Sequence, residues 1–119
     1  MKILVVDDSA IMRRIICNSL KSVGFNDIVE AGNGAEALES IGGVNLVLTD
    51  WNMPVMDGLT LVKEIRKRGD SATIPIIMVT TEGAKTEVIE ALKNGVNNYM
   101  VKPFTPEVLV EKVKATLGK

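Results

Sequence analysis

Asp7 and Asp8 follow the apolar run Ile3-Leu4-Val5-Val6, Asp50 follows Leu46-Val47-Leu48-Thr49, and Lys102 follows Tyr99-Met100-Val101. If these runs are neighbouring parallel strands, the four charged side chains emerge at the carboxyl edge of one sheet, where open α/β folds bind ligands. Two carboxylates about 4 Å apart repel by about 4 kcal/mol at an effective dielectric of about 20. A divalent cation removes that repulsion, and Mg2+ favours carboxylates plus waters. Lys102 adds a movable point charge able to pair with a carboxylate or a phosphoryl oxygen. Thr80, ending the run Pro75-Ile76-Ile77-Met78-Val79, brings a hydroxyl donor to the same edge. Metal, lysine and hydroxyl around one aspartate suit phosphoryl transfer, which asks for positioning and charge stabilisation, with the carboxylate as nucleophile.

Each residue alone has an ordinary explanation. Asp7-Asp8 can end a strand and cap a helix, Asp50 can be a turn residue, Lys102-Pro103 a loop, and Thr80 a strand residue. Their joint placement at the ends of the first, third, fourth and fifth apolar runs carries the functional reading. Trp51, next to Asp50, is either packing or a lid on the site. Met12, Met78 and Met100 read as core gap-fillers, Cys17 as a small buried hydrophobe, and Gly58 as a turn or helix-start glycine.

The elements that must position these residues alternate strand and helix. The apolar run 2–6 fits a strand buried on both faces. Ser9 can cap a helix whose apolar set is Ile11, Met12, Ile15, Ile16, Leu20 and Val23, with Arg13, Arg14 and Lys21 outward and Gly24 at its end. A short strand lies near Asp27–Glu30. Asn33-Gly34 opens a helix with Ala37, Leu38 and Ile41, stopped by Gly42-Gly43. A third strand spans about 45–49, and the loop from Asp50 to Gly58 leads to a helix bearing Leu59, Leu61, Val62 and Ile65. Polar residues 66–73 read as a loop. Pro75–Val79 is a fourth strand, Ala84–Lys93 a helix with Val88, Ile89 and Leu92, broken by Gly95, and 98–101 the fifth strand. Thr105-Pro106-Glu107 opens the last helix, with Leu109, Val110, Val113 and Leu117 apolar. Five βα units imply a doubly wound parallel sheet with right-handed crossovers and helices on both faces.

The 119 residues fit one domain. A net charge of −1 gives no bulk attraction to nucleic acid or membrane. With no histidine and a lone Cys17, no intramolecular disulfide forms and a metal must be held by oxygen, favouring Mg2+, Ca2+ or Mn2+ over Zn2+. The apolar runs are too short for a signal peptide or a membrane span.

The segments Val5-Val6-Asp7-Asp8-Ser9, Leu48-Thr49-Asp50-Trp51-Asn52-Met53-Pro54-Val55-Met56-Asp57-Gly58, Met78-Val79-Thr80-Thr81 and Val101-Lys102-Pro103-Phe104 resemble, in order and spacing, the receiver domain of two-component response regulators. The likeness spans residues 1–119 and points to the single-domain chemotaxis regulators. It implies a flavodoxin-like five-stranded sheet in the order 2-1-3-4-5. It implies that Asp50 is the phosphoacceptor, served by a histidine kinase, and that Asp7, Asp8, Asp50 and the main-chain carbonyl of Asn52 hold Mg2+, with Mn2+ a substitute. Lys102 resembles the lysine that contacts the phosphoryl group, Thr80 the switch hydroxyl, and Tyr99 the aromatic that swings inward. Lys102-Pro103 resembles the family's cis peptide. Asn52 and Glu82 occupy the positions that tune loss of the phosphoryl group. Thr81 departs from the family, where a very small residue is usual.

The same resemblance implies a cytoplasmic, monomeric signalling domain, assisting its own phosphorylation and dephosphorylation rather than turning over a substrate. Its downstream protein target would dock on the fourth helix, fifth strand and last helix, with the flagellar motor switch as one candidate and a phosphatase as a further partner. No nucleic acid or membrane is implied. An aspartyl phosphatase of similar sheet would carry Asp-x-Asp after the first strand, whereas here the acids adjoin and Ser9 follows. A pure interaction module would be expected to lack one of the site residues. A nucleotide binder would need a Gly-x-Gly-x-x-Gly or P-loop, and neither occurs. An excised receiver of a transcription factor is the alternative within the family, and the close of the last helix at Leu117-Gly118-Lys119 favours a free-standing regulator.

Overall fold

The computed structural model describes residues 1–69, 73–81 and 85–118, the side chain of Lys85 excepted. Its elements run β1 (Lys2–Val6), α1 (Ala10–Lys21), β2 (Asp27–Ala31), α2 (Gly34–Glu39), β3 (Leu46–Asp50), α3 (Gly58–Lys67), β4 (Ile76–Thr80), α4 (Lys85–Lys93), β5 (Asn98–Val101) and α5 (Pro106–Leu117). The five strands are parallel in the order β2-β1-β3-β4-β5, as the resemblance implied.

Strand alternation splits the core in two. On one face Leu4, Val6, Val47, Ile76 and Met78 pack against Ala37 of α2, Leu61, Val62 and Ile65 of α3 and Ala91 of α4. On the other Ile3, Val5, Leu46, Leu48, Ile77, Val79 and Met100 pack against Ile16, Cys17 and Leu20 of α1 and Leu109 and Val113 of α5. With helices on both sides, β1, β3 and β4 carry no polar face, which is why they read as nearly unbroken apolar runs, whereas the edge strand β2 keeps Asp27 and Glu30 exposed.

Helix starts follow their caps. Ser9, Asn33, Asp57 and Thr105 each accept a hydrogen bond from the backbone N–H three residues on. Pro106 supplies the preset first turn of α5, and Gly118 closes it with a positive φ.

Several sequence expectations need correction. The apolar set of α1 is too wide: Ile11 is 73% exposed and Ile15 and Val23 are also exposed, because only one stripe, Ile16, Cys17 and Leu20, meets the sheet. Arg13 does not face outward but folds back on the strand ends. α2 stops at Glu39, capped by Ser40, before Gly42-Gly43, and Ile41 is buried outside the helix. β3 begins and ends one residue later than expected, so Asp50 is a strand residue rather than the first of the loop, and β4 likewise runs Ile76–Thr80, with Thr80 closing it as expected. The polar stretch from Arg66 is partly helical, since α3 runs through Lys67. On α4, Val88 is half-buried and Ile89 and Leu92 are exposed, while Ala91 makes the core contact. Ala84 and Glu82 lie outside the described residues.

Candidate functional site

At the carboxyl edge, β1, β3 and β5 deliver their charged groups to one point. Asp7 follows β1 directly, Asp50 is the last residue of β3, and Lys102 follows β5. Asp50 shares the parity of Leu46 and Leu48, and Lys102 that of Met100, so both belong to the α1/α5 side of the sheet. Thr80 shares the parity of Ile76 and Met78 and belongs to the other side.

One carboxylate oxygen each from Asp7, Asp8 and Asp50 lies within 4.8 Å of the other two. Lys102 Nζ stands 2.9 Å from Asp7 Oδ2 and 3.4 Å from Asp50 Oδ2. One ammonium therefore bridges two buried carboxylates, while Asp8 reaches in from the exposed rim. The other oxygens of the buried pair are also held: Asp7 Oδ1 accepts from the Ser9 N–H at 2.9 Å, and Asp50 Oδ1 from the Trp51 N–H at 2.8 Å. Such bonds fix the rotamers while leaving the triad of acids facing the edge.

Asp50 is only 8% exposed. Burial, reinforced by the charge of Asp7, raises its pKa above the usual 3.8 despite the opposing pull of Lys102 and the Trp51 N–H. A carboxylate held in this way is short of cationic compensation. The donor set is all oxygen, which suits a hard divalent ion.

The neighbours of the triad are equally constrained. Thr80 is buried at the end of β4, and its carbonyl accepts from the Lys102 N–H at 2.8 Å, tying the end of β4 to the lysine. The Lys102–Pro103 peptide is cis. Tyr99, on β5, is half-buried against the α2/α3/α4 side, with Lys112 Nζ of α5 5.3 Å from its ring centre. Asn52 is exposed in the loop after β3. Trp51 is half-buried and packs on the same side as Tyr99, which favours packing over a lid. Thr81 is exposed beside Thr80. Glu82 is outside the described residues.

The loop between Asp50 and α3 closes tightly. The Gly58 N–H donates to the Trp51 carbonyl at 2.8 Å, and a Cβ at Gly58 would run into the Asp50 carbonyl. Gly58 is thus a close-approach glycine. Val55 carries φ +69°, an unusual backbone for a β-branched residue. Three participants escaped sequence reasoning: Asp57 as the cap of α3, Gly58 as the contact with Asp50, and Arg13. Asp57 stands three residues before Thr60, the ordinary cap spacing, and could have been found. Arg13 could not, since its partner Glu30 is brought near by the β1–β2 register.

An apolar groove between Ser22-Val23 at the end of α1 and Val110, Lys114 and Ala115 of α5 holds none of these residues. Among the described residues, no helix is long and apolar enough to cross a membrane.

Residues 3–114 match the family of the response regulator receiver domain. The chain is 57% identical over 121 aligned positions to the chemotaxis protein CheY1 of Helicobacter pylori, covering 99% of this chain and 98% of that one. Identity is also 57% to the chemotaxis protein CheY homolog of Campylobacter jejuni, over 99% of this chain and 93% of the relative. Among solved structures, the Vibrio cholerae chemotaxis protein CheY4 superposes with a TM-score of 0.91 at 33% identity, over 97% of both chains. The CheX–CheY–BeF3–Mg2+ complex of Borrelia burgdorferi gives a TM-score of 0.92 at 28% identity, over 100% of this chain and 90% of that one. The fold, the acid triad with its lysine and these likenesses agree: the chain belongs to the response regulator receiver family, in its chemotaxis branch, as a signalling domain activated by phosphorylation.

Proposed function

We propose that Asp50 accepts a phosphoryl group from a phosphohistidine on a partner kinase, with Mg2+ held by Asp7, Asp8, Asp50 and the main-chain carbonyl of Asn52. The observation that carries this reading is the convergence of three carboxylates within 4.8 Å beside an ammonium at 2.9 and 3.4 Å. When bound, Mg2+ supplies charge neutralisation for the acids and the phosphoryl oxygens, and Mn2+ offers the same oxygen-ligand chemistry.

The chain's residues do the rest. Asp50 oxygen bonds to phosphorus as the phosphorus–nitrogen bond of the donor breaks and its imidazole leaves. The Trp51 N–H holds Asp50 Oδ1 in place while this happens. Lys102, now shared between Asp7 and Asp50, can turn its ammonium to a phosphoryl oxygen, because its stem is flexible and its charge is a point. The added −1.5 or so of charge and its acceptor oxygens draw the Thr80 hydroxyl inward. Tyr99 then enters the space that Thr80 vacates. Asn52 and Glu82 tune the lifetime of the acyl phosphate, and the methyl and hydroxyl of Thr81 limit water's approach. The whole chain, residues 1–119, acts as a single receiver unit, a stoichiometric cytoplasmic acceptor rather than a turnover enzyme.

The readout is the surface of α4, β5 and α5, elements on which Ile89, Leu92, Val101 and Val108 are exposed and Lys112 lies over the Tyr99 ring. Exposed apolar side chains on these elements suit a protein target, such as the motor switch or a phosphatase, and the Borrelia relative is itself seen in complex with a protein, CheX. A tenfold change in target affinity needs only about 1.4 kcal/mol of coupling. The test is amide hydrogen exchange with and without beryllium fluoride plus Mg2+. Loading should alter exchange in β4, α4, β5 and α5; identical exchange in the two states would overturn the switch.

A further inference from the structure

We propose that Arg13 is a positioning residue for Mg2+ binding, acting by holding the peptide that carries Asp8; the inference rests on the Mg2+ reading above. Asp7 and Asp50 have both carboxylate oxygens engaged, by Ser9, Trp51 and Lys102. For Asp8, among the described residues, no hydrogen bond or ion pair reaches the carboxylate. With no side-chain partner, its reach to the site depends on where the backbone places its Cα. The peptide plane that delivers Asp8 includes the Asp7 carbonyl, and Arg13 Nη1 donates to that carbonyl. The Asp7 N–H, on the preceding peptide, is held by the Ala31 carbonyl at 3.1 Å. The acidic pair is thus pinned from both sides, by β2 and by α1.

Arg13 is itself oriented. Its Nε lies 3.1 Å from Glu30 Oε1, at the carboxyl end of β2, and its side chain is mostly buried. Supporting residues that orient ligands in this way typically contribute 10–100-fold to metal affinity.

Charge and positioning make opposite forecasts. A guanidinium beside a cation site opposes cation binding, so its removal would tighten Mg2+ binding on charge alone. Positioning requires that removal weaken it. Mg2+ demands near-ideal octahedral geometry, whereas Ca2+ tolerates irregular shells. Misplacing Asp8 should therefore harm Mg2+ more than Ca2+.

The experiment titrates wild type, Arg13→Ala, Arg13→Lys and Glu30→Gln with MgCl2 and with CaCl2, reading Trp51 fluorescence. Arg13→Ala should raise the Mg2+ dissociation constant about tenfold, with a smaller change for Ca2+. Arg13→Lys, which keeps the charge but reaches fewer partners, should fall between Arg13→Ala and wild type, and Glu30→Gln should weaken Mg2+ least. An unchanged or tighter Mg2+ constant in folded Arg13→Ala, or equal losses for both ions, overturns the proposal. Should Arg13→Ala fail to fold, unchanged Mg2+ constants in both Arg13→Lys and Glu30→Gln overturn it instead. Absence of any Mg2+ response in wild type defeats the metal reading itself.

Discussion

The two ends of the sheet are built on opposite electrostatic plans. At the amino end, neutral amides close the strands. Asn45 Oδ1 accepts from the Lys2 N–H at 2.8 Å, and Asn97 Oδ1 from the Ile76 N–H at 2.8 Å. Arg66 spreads one guanidinium over the Ile74 carbonyl at 2.6 Å, the Gly95 carbonyl at 2.6 and 3.1 Å, and Asn97 Oδ1 at 2.9 Å. The carboxyl end instead crowds three acids around one ammonium. The first end satisfies its own groups and can only stabilise. The second is left wanting positive charge, the condition for binding something. Substitutions should divide along this line: those at the amino end move melting temperature alone, and those among the acids and lysine of the carboxyl end move chemistry as well.

The largest expected effect is at Asp50. Incubation with acetyl phosphate and Mg2+ should add one phosphoryl mass to wild type and none to Asp50→Asn. A labelled variant would mean that another residue is the acceptor. Next is the amino end. Arg66→Ala leaves the half-buried Ile74 and Gly95 carbonyls without this donor, at about 1–2 kcal/mol, or a melting temperature roughly 6 °C lower. The Mg2+ response of Trp51 should survive unchanged; a joint loss would erase the distinction between the two ends.

Asp50→Asn should also stabilise the metal-free fold, by about 1 kcal/mol or roughly 4 °C in EDTA at neutral pH. The sign follows from the raised pKa of Asp50. A carboxyl with a raised folded pKa contributes stability that is full below 3.8 and lost as pH rises through the folded value. The advantage of the asparagine variant should thus widen from acid to neutral pH, and a constant gap would count against burial and repulsion as its cause. The smallest effect is at Val55, whose positive φ costs about 1–2 kcal/mol, partly offset by glycine's extra freedom when unfolded. Val55→Gly should gain about 0.5 kcal/mol; a lower melting temperature would show that the loop needs that side chain.

Much of this division was legible in the chain. Apolar runs bounded by Asp7, Asp50, Thr80 and Lys102 marked the strand ends, because strands covered on both faces admit polar residues only where they stop. Ser9 and Thr105 announced their helices through cap chemistry. Residues whose role depends on partners distant in sequence were hidden. Arg13 looked like a solvated helix residue until β2 brought Glu30 beside it. Arg66 looked like part of a polar loop, since nothing local discloses that Gly95 and Asn97 await it. On α1, Ile11 and Ile15 misled because a surplus of apolar residues does not say which stripe meets the sheet.

The ammonium of Lys102 meets Asp7 across a separation of 95 residues, and Asp50 lies midway between them in the chain. No fragment lacking β1, β3 or β5 can assemble this contact. The pocket is consequently completed only late in the chain: a nascent copy that has not yet reached β5 holds the acids without their ammonium.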